Sequence, residues 1–325
     1  MDESSASGGS DQLRETLVAL RDEMAKVIVG QDGLVTGLLT AALANGHVLL
    51  EGVPGVAKTL AVKTFAASLD LDFARVQFTP DLLPADVTGQ LVLDPATRRF
   101  EHRPGPVFTN VLLADELNRT PPKTQAALLE AMEERQVTVD GQATNLPDPF
   151  LVIATQNPIE YEGTYPLPEA QIDRFLFKLA VSYPTPDEEQ AMLRRHDQGL
   201  DPHDLAAAGV RAVASAAHLA RAREAVAAVS VEDRVLAYIV ELVSATRSLG
   251  SVALGVSPRG TAALLHAAKA WAWLAGKSFV GPDEVKAVIR PATRHRLILR
   301  PEALLDGTEP DQVIERVLNT VPVPR

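Results

Sequence analysis

Lys58 and Thr59 end a short loop whose residue types are suited to holding phosphate groups. The loop, Gly52-Val53-Pro54-Gly55-Val56-Ala57-Lys58-Thr59, follows the apolar run His47 to Leu50 and precedes a helix-like run from Leu60 to Leu69. In such a strand, loop and helix, successive backbone N–H groups form a nest for an anion, and the helix dipole adds to it. The pattern predicts a nucleotide site lined by the loop and Leu60, in which Lys58 reaches the β- and γ-phosphates and the Thr59 hydroxyl binds Mg²⁺.

One position departs from the phosphate-loop pattern G-x-x-x-x-G-K-[ST], because Ala57 stands where the pattern has glycine. Alanine is the smallest possible departure, and we expect it to be tolerated if the backbone has already turned helical at this residue. The alternative is a chance Gly-Pro-Gly turn followed by a lysine. The rest of the chain therefore has to supply the other parts of a nucleotide site.

Two acidic residues, Asp115 and Glu116, come directly after the apolar run Val111 to Ala114. Ligands of open α/β sheets bind at the carboxyl ends of the strands, so acids at this position can reach the nucleotide. We expect Asp115 to hold Mg²⁺ through its water shell opposite Thr59, and Glu116 to orient and deprotonate the attacking water. The alternative, a pair of solvated loop acids, is disfavoured by the phosphate loop that precedes them.

Asn157 and Arg174 are candidates for two further roles. Asn157 follows the apolar run Phe150 to Ala154, and from a strand tip its amide can share the attacking water with Glu116; the alternative is an ordinary Asn-Pro turn. Arg174 stands directly before another apolar run. It either pairs with Asp173 on the surface or acts as an arginine finger that reaches the γ-phosphate of a neighbouring subunit.

The composition of the 325-residue chain narrows the classes of function. A net charge of −11 disfavours a protein whose main ligand is nucleic acid. The chain has no cysteine, which excludes disulfides and thiolate metal sites. The N-terminal residues show no secretory leader, and the apolar stretch from Leu34 to Leu50 is too short and too mixed to span a membrane. We therefore expect a cytoplasmic protein.

Apolar runs alternate with helical patterns through the first part of the chain, which predicts a parallel sheet covered on both faces. The candidate strands are His47 to Leu50, Phe73 to Phe78, Val111 to Ala114, Phe150 to Ala154 and Phe175 to Val181. Two hairpins are expected, one around Asp94-Pro95-Ala96-Thr97 and the other around Asp140-Gly141.

Beyond Tyr183 the chain is alanine-rich and its pattern indicates helices only. We expect Ser230 to cap a helix that begins at Val231, and Ser257-Pro258 to open another. The sequence thus predicts a disordered tail over residues 1–10, an α/β domain over 11–183 and a helical domain over 184–325.

The motifs together resemble those of the MoxR family of AAA+ ATPases, and the resemblance extends over nearly the whole chain from about Asp11. The stretches that carry it are Val27 to Gln31, the phosphate loop, Ala114 to Arg119, Gln125 to Glu134, Ala154 to Pro158, Pro168 to Phe175, Ser257 to Arg259, Arg294 to Arg296 and Val321 to Arg325. Members of the family commonly have alanine at the position of Ala57. The resemblance implies an α/β fold, the AAA+ P-loop αβα sandwich with a parallel sheet, followed by a smaller all-helical lid domain.

The resemblance also implies a role for each motif. It makes Gly52 to Thr59 Walker A, Asp115-Glu116 Walker B, Asn157 sensor 1, Arg174 the trans arginine finger, Arg259 sensor 2, Val29 and Gly30 part of the adenine site, and Arg119 a second candidate contact in trans. Arg259 also suits its role by position, because the first turn of a helix in the second domain can report the nucleotide state by moving that domain. The alternative is an ordinary surface arginine.

The implied function is ATP hydrolysis with Mg²⁺ in a homo-oligomer, expected to be a hexameric ring. The family implies a chaperone-like role, in which partner proteins, often with a von Willebrand A domain, are remodelled or activated. Two other functions stay open. An AAA+ motor on nucleic acid is allowed by the hairpins and disfavoured by the acidic charge. A nucleotide-dependent binding scaffold with negligible turnover is disfavoured by the presence of Glu116 and Arg174.

Overall fold

The structure of the protein is a computed structural model that describes residues 3–93, 95–96, 98–157, 164–202 and 204–324. Its strands are β1 (His47–Glu51), β2 (Phe73–Gln77), β3 (Gly89–Leu93), β4 (Phe100–Pro104), β5 (Val111–Asp115), β6 (Gln136–Val139), β7 (Gln142–Asn145), β8 (Leu151–Gln156), β9 (Phe175–Ala180), β10 (Ser230–Val231), β11 (Val252–Leu254), β12 (Phe279–Val280) and β13 (Ile298–Leu299). Its helices are α1 (Glu3–Val18), α2 (Leu20–Ala25), α3 (Asp32–Leu43), α4 (Lys58–Ser68), α5 (Pro84–Thr88), α6 (Pro122–Glu134), α7 (Glu169–Ile172), α8 (Pro186–Asp197), α9 (Ala216–Ala227), α10 (Asp233–Ser248), α11 (Pro258–Leu274), α12 (Pro282–Thr293), α13 (Pro301–Leu305) and α14 (Pro310–Thr320). None of these described helices has the length and apolar content needed to span a membrane.

The central sheet brings the carboxyl ends of its strands to one edge. Its five strands run parallel in the order β2-β5-β8-β1-β9. Alternate residues of β5 enter different cores, with Leu112 in one and Leu113 in the other, as expected for a sheet that is covered on both faces. The register places Gln77 opposite Asp115 and Leu50 opposite Thr155. The predicted α/β architecture is confirmed.

Both predicted hairpins are present. Strands β3 and β4 pair in antiparallel fashion, and so do β6 and β7. In the second hairpin, Asp140 and Gly141 both have positive φ angles of 50° and 78°, the backbone that a tight two-residue turn requires. In the first hairpin, Asp94 and Thr97 lie outside the described residues.

The second half of the chain is mainly helical, but the expectation of helices only is incomplete. Short strands β10 and β12 pair in parallel, and β11 pairs with β13 in antiparallel fashion; pairs of two or three residues are too short to show a period in the sequence. The predicted cap at Ser230 is wrong, because Ser230 enters β10 and its N–H donates to the carbonyl of Ser278 at 3.0 Å. The helix begins instead at Asp233, after Glu232. The cap at Ser257 is confirmed, since its hydroxyl oxygen accepts the N–H of Gly260 at 3.0 Å.

The first helix also departs from expectation. Helix α1 begins at Glu3, so disorder over residues 3–10 is wrong; Met1 and Asp2 lie outside the described residues. The segment has no proline to stop the helix, and it continues into a part whose Leu13 and Leu17 are buried in the core. Packing of an amphipathic face supplies most of the stability of a protein helix, which accounts for the extension.

The α/β part and the helical part share one hydrophobic core. Helix α9 packs against α1 and α3 of the first part as well as against α11 of the second. The division at residues 183 and 184 stays a prediction.

Candidate active site

The phosphate loop joins β1 to α4, and its backbone is left-handed at two positions. Gly55 has a φ angle of 84°, which glycine adopts freely. Ala57 has φ 58° and ψ 24° directly before the first residue of α4. A right-handed helical backbone, the condition under which we expect alanine to be tolerated, is therefore not present at Ala57. A left-handed conformation costs an alanine on the order of 1 kcal/mol. The loop therefore accommodates alanine in place of the glycine of the pattern, but with a strained backbone at this residue.

Lys58 folds back over the loop that precedes it. Its ammonium group donates to the carbonyl oxygen of Gly52 and to that of Val53, the latter at 3.2 Å. Burial lowers the pKa of Lys58, and the nearby charges of Asp115 and Glu116 oppose that shift. The ammonium group is thus held between the loop and the two acids, where a phosphate group would meet it.

A cavity of about 900 Å³ opens in front of the loop. Its phosphate end is lined by Pro54 to Leu60, by Asp115 and Glu116, and by Asn157. This size is within the range of small-molecule and cofactor sites. The cavity brings together residues that lie about one hundred positions apart in the chain, as the sequence predicts. Gly52 and Val53 do not line the cavity. Their carbonyl groups accept hydrogen bonds from the Lys58 ammonium group.

The carboxylate of Asp115 is fixed by contacts with other side chains and is not a solvated loop acid. Its Oδ1 accepts a hydrogen bond from the hydroxyl of Thr155 at 2.6 Å, and its Oδ2 lies 2.7 Å from Nη2 of Arg75. The side chain is 14% exposed. Neither Thr155 nor Arg75 was singled out for a role from the sequence; the only signal for Thr155 is its place at the end of the strand that leads to Asn157.

Glu116 is positioned by its backbone and by two side chains. Its N–H donates to Oγ1 of Thr155 at 2.8 Å, and its φ angle is 56°. Its Oε2 accepts from Nε2 of Gln77 at 2.7 Å and from Nη1 of Arg119 at 2.9 Å. A left-handed non-glycine residue is typical of functional sites, where surrounding contacts hold the strain. Arg119, a candidate trans contact from the resemblance, here pairs within its own chain.

Asn157 is buried in the wall of the same cavity, 8% exposed. The strand β8 carries it to the sheet edge beside Glu116. The residues that follow it, 158–163, lie outside the described chain. Asn157 thus lines the same cavity as the two acids, and its sharing of a water with Glu116 stays a prediction.

The other end of the cavity includes one of the two residues that the resemblance assigns to the adenine site. Val29 lies in the wall, together with Gln31, Tyr183 and Met192. Gly30 lies behind the wall with φ 70°, where an added Cβ atom would come within 2.1 Å of Cδ of Glu188. The walls from Tyr183 onward carry no motif and were not anticipated from the sequence.

Thr59 and Asp115 are the residues that would hold Mg²⁺. Both line the phosphate end of the cavity, and they offer a hydroxyl and a carboxylate oxygen. Among the described residues there is no cluster of three or more His, Cys, Asp or Glu side chains suited to a metal ion. Mg²⁺ is usually held by one or two carboxylates together with substrate phosphates and water, so these two residues fit the ion in the presence of a nucleotide.

Arg174 and Arg259 lie in a second cleft of about 260 Å³, and not around the phosphate loop of their own chain. Nη2 of Arg174 lies 2.6 Å from Oε2 of Glu133, and Nη2 of Arg259 pairs with Oε1 of the same carboxylate. The alternative pairing of Arg174 with Asp173 is wrong, because Asp173 binds Arg296. Arg259, in the first turn of α11, lies in the same cleft as Arg174 and does not line the cavity in front of the phosphate loop.

Comparisons with known proteins agree with this geometry. Residues 47–177 match the model of the ATPase family associated with various cellular activities (AAA), and residues 244–317 match that of the AAA lid domain. An uncharacterised protein, YeaC, of Bacillus subtilis (strain 168) is 48% identical over 93% of this chain and 93% of its own length. Chaperone MoxR1 of Mycobacterium tuberculosis is 46% identical over 98% of this chain and 86% of its own. The crystal structure of a candidate ATPase from Cytophaga hutchinsonii superposes with a TM-score of 0.91 at 40% identity, over 99% of both chains.

The match to Chaperone MoxR1 extends well beyond the nucleotide site, since it covers 98% of this chain. Because a named MoxR relative covers almost the whole chain at this level of identity, the protein belongs to the MoxR family of AAA+ ATPases.

Proposed function

We propose that this protein hydrolyses ATP with Mg²⁺ at the interfaces between subunits of a homo-oligomeric ring. The observation that carries the proposal is a division of the machinery. The phosphate loop, the two acids and Asn157 line one cavity, whereas Arg174 and Arg259 lie in a different cleft of the same subunit. A subunit arranged in this way needs a neighbour to complete its site. Head-to-tail contacts close into rings when the rotation allows, and the family resemblance favours a hexamer.

Within the cavity each side chain has a defined task. The loop N–H groups and Lys58 bind the phosphates. Thr59 and Asp115 would hold a magnesium ion, which would supply positive charge to the phosphate groups. Glu116 orients the attacking water and accepts its proton, and Asn157 holds that water from the other side.

The arginines complete the site from outside. In the proposed ring, Arg174 and Arg259 of one subunit face the γ-phosphate bound by the next. Guanidinium groups are suited to this because they form paired hydrogen bonds to phosphate and stay charged. An arginine supplied in trans is a recurring device of phosphoryl transfer.

The energy of ATP hydrolysis would be used to remodel or activate partner proteins. We propose a chaperone-like role, supported by the name of the relative Chaperone MoxR1, with partners that contain a von Willebrand A domain. The check is whether a von Willebrand A-domain protein encoded beside this chain's gene changes its rate of ATP turnover. No change with any such partner would contradict this part of the proposal.

Mixing of two inactive variants tests the shared site. Lys58→Ala subunits lack phosphate binding but keep their arginines, and Arg174→Ala subunits have the reverse defect. Each variant alone should release little phosphate from ATP, while mixtures should recover turnover, because some interfaces then combine an intact loop with an intact arginine. A mixture that stays inactive at every ratio would contradict a site shared between subunits. Wild-type protein without phosphate release would favour the scaffold function.

A further inference from the structure

Glu133 lies at the end of α6, and its carboxylate joins two arginines of different parts of the chain. Oε2 is 2.6 Å from Nη2 of Arg174, which stands just before β9, and Oε1 pairs with Nη2 of Arg259 in the first turn of α11. One carboxylate thus sets the spacing between two guanidinium groups. Nothing in the reaction described above uses Glu133.

The backbones that carry the two arginines are fixed by a separate acid. Asp173 accepts from Nε of Arg296 at 2.6 Å through Oδ1, and from the hydroxyl of Ser257 at 2.8 Å through Oδ2. Arg296 is 7% exposed and also donates to the carbonyl of Phe175 at 2.7 Å. Because Asp173 precedes Arg174 and Ser257 caps the helix of Arg259, these bonds hold both backbones. The orientation of the two side chains is left to Glu133.

The charges of this cluster explain why an acid is needed between the arginines. Three guanidinium groups and two carboxylates meet there, those of Arg174, Arg259, Arg296, Glu133 and Asp173. With Glu133 ionised, the cluster has one excess positive charge, which attracts a phosphate. Without that carboxylate, Arg174 and Arg259 would repel each other and move apart. Each contact with Glu133 uses one terminal nitrogen, and a guanidinium group has five N–H donors, so donors remain for a phosphate.

We propose that Glu133 is a positioning residue for the reaction in the neighbouring subunit, where it holds Arg174 and Arg259 side by side as a two-pronged clamp for the γ-phosphate. This assignment rests on the proposed function, because the clamp acts only on a nucleotide bound by another subunit. A substitution of Glu133 should therefore lower ATP turnover only when it is made in the subunit that supplies the arginines.

A role in folding alone predicts a different result. The side chains of Arg174, Glu133 and Arg259 are 28%, 32% and 48% exposed, and ion pairs that are accessible to water contribute little stability. Glu133→Gln should therefore leave the midpoint of thermal unfolding nearly unchanged. Glu134 offers a matched control, since it is the next residue, is exposed and loses the same charge in Glu134→Gln.

The experiment places Glu133→Gln on one side of the interface at a time. The reference is the mixture of Lys58→Ala subunits, which donate arginines, with Arg174→Ala subunits, which bind ATP. With Glu133→Gln added to the Lys58→Ala subunit, the recovered phosphate release should fall on the order of tenfold, because misplaced catalytic groups cost rate steeply. With Glu133→Gln added to the Arg174→Ala subunit, recovery should equal that of the reference. Glu134→Gln should have no effect in either place.

The possible outcomes separate the two proposals. Equal losses on both sides of the interface, a loss confined to the ATP-binding subunit, or no loss at all would each overturn the role of Glu133 while the shared site stands. A reference mixture that fails to recover activity would reject the shared site itself, and the assignment of Glu133 with it.

Discussion

The hydroxyl of Thr155 lies 2.6 Å from Oδ1 of Asp115 and donates a hydrogen bond to it, and the oxygen of that hydroxyl accepts the N–H of Glu116 at 2.8 Å. One side chain on β8 thereby positions both acids at the end of β5. Thr155 is 1% exposed, so water cannot replace these bonds easily. The two acids therefore depend on one side chain in the wall of the same cavity.

Replacement of Thr155 should test this dependence. Thr155→Val keeps the shape but removes both bonds, and the loss of a buried hydrogen bond costs about 1–3 kcal/mol. We expect ATP turnover to fall on the order of tenfold or more, while Thr155→Ser, which keeps the hydroxyl, retains most of the activity. The measurement is steady-state phosphate release with thermal unfolding of both variants. Equal turnover in the valine and serine variants would contradict the role of the hydroxyl.

Glu116→Gln should separate binding from chemistry. The amide cannot accept the proton of the attacking water, and a general base contributes about 10² to 10⁴ in rate. We expect a loss of turnover in that range with ATP affinity, measured by calorimetry, close to that of the wild type. Turnover near normal would remove Glu116 from the role of base.

Ala57→Gly should stabilise the protein. The φ angle of 58° at this residue strains alanine but not glycine. After the larger unfolded-state entropy of glycine is allowed for, we expect the free energy of unfolding to rise by a few tenths of a kcal/mol up to about 1 kcal/mol. The control is Ala67→Gly, an exposed position within α4, where glycine should destabilise by about 0.5–1 kcal/mol. Destabilisation of the same size by both changes, in urea unfolding without nucleotide, would show that Ala57 is not strained.

His47 should make the stability depend on pH. Burial is the main cause that lowers the pKa of this histidine, from 6.5 to about 3. Its Nδ1 accepts the N–H of Val152 at 2.9 Å, and its Nε2 lies 3.1 Å from the carbonyl oxygen of Met132. The neutral ring is thus the form that the fold binds. Between about pH 6.5 and 3 the unfolded chain takes up a proton at His47 that the folded chain does not, so stability is complete above this window and falls as the pH falls through it.

The slope due to this one group approaches about 1.4 kcal/mol per pH unit in the middle of the window. Urea unfolding at pH 7, 6 and 5 should show a steeper loss of stability in the wild type than in His47→Gln. His196→Gln, at an exposed histidine, serves as the control for the substitution. The same pH dependence in the wild type and in His47→Gln would contradict the prediction.

The sequence predicts those parts of the site that follow from local pattern. The loop, the two acids and Asn157 each come directly after an apolar strand, and parallel strands bring their ends to one edge, so the meeting of Lys58, Asp115, Glu116 and Asn157 required no knowledge of distant packing. The same reasoning holds for the strands of the central sheet and for the cap at Ser257.

The rest depends on contacts between distant segments. The left-handed backbone of Ala57 is imposed by the geometry of the loop as a whole. The residue type alone predicts the opposite, because alanine disfavours a positive φ angle. The second cleft is formed by α6, the start of β9 and the first turn of α11, and no spacing along the chain predicts that Glu133 meets Arg259, a residue 126 positions away. Gln77 and Thr155 are ordinary polar residues of strands, and only the register shows that they contact the acids.

The bonds from Arg296 and Ser257 to Asp173 give the proposed ring a direction. They tie α11 and the segment after α12 to the residue beside Arg174, so a displacement of those elements moves the arginines that serve the next nucleotide site along the ring. In the proposed ring, a mechanical signal would then pass from each subunit to one neighbour and not to the other. Successive hydrolysis events around such a ring would have a preferred sense of rotation, set by the carboxylate of Asp173, which is 19% exposed.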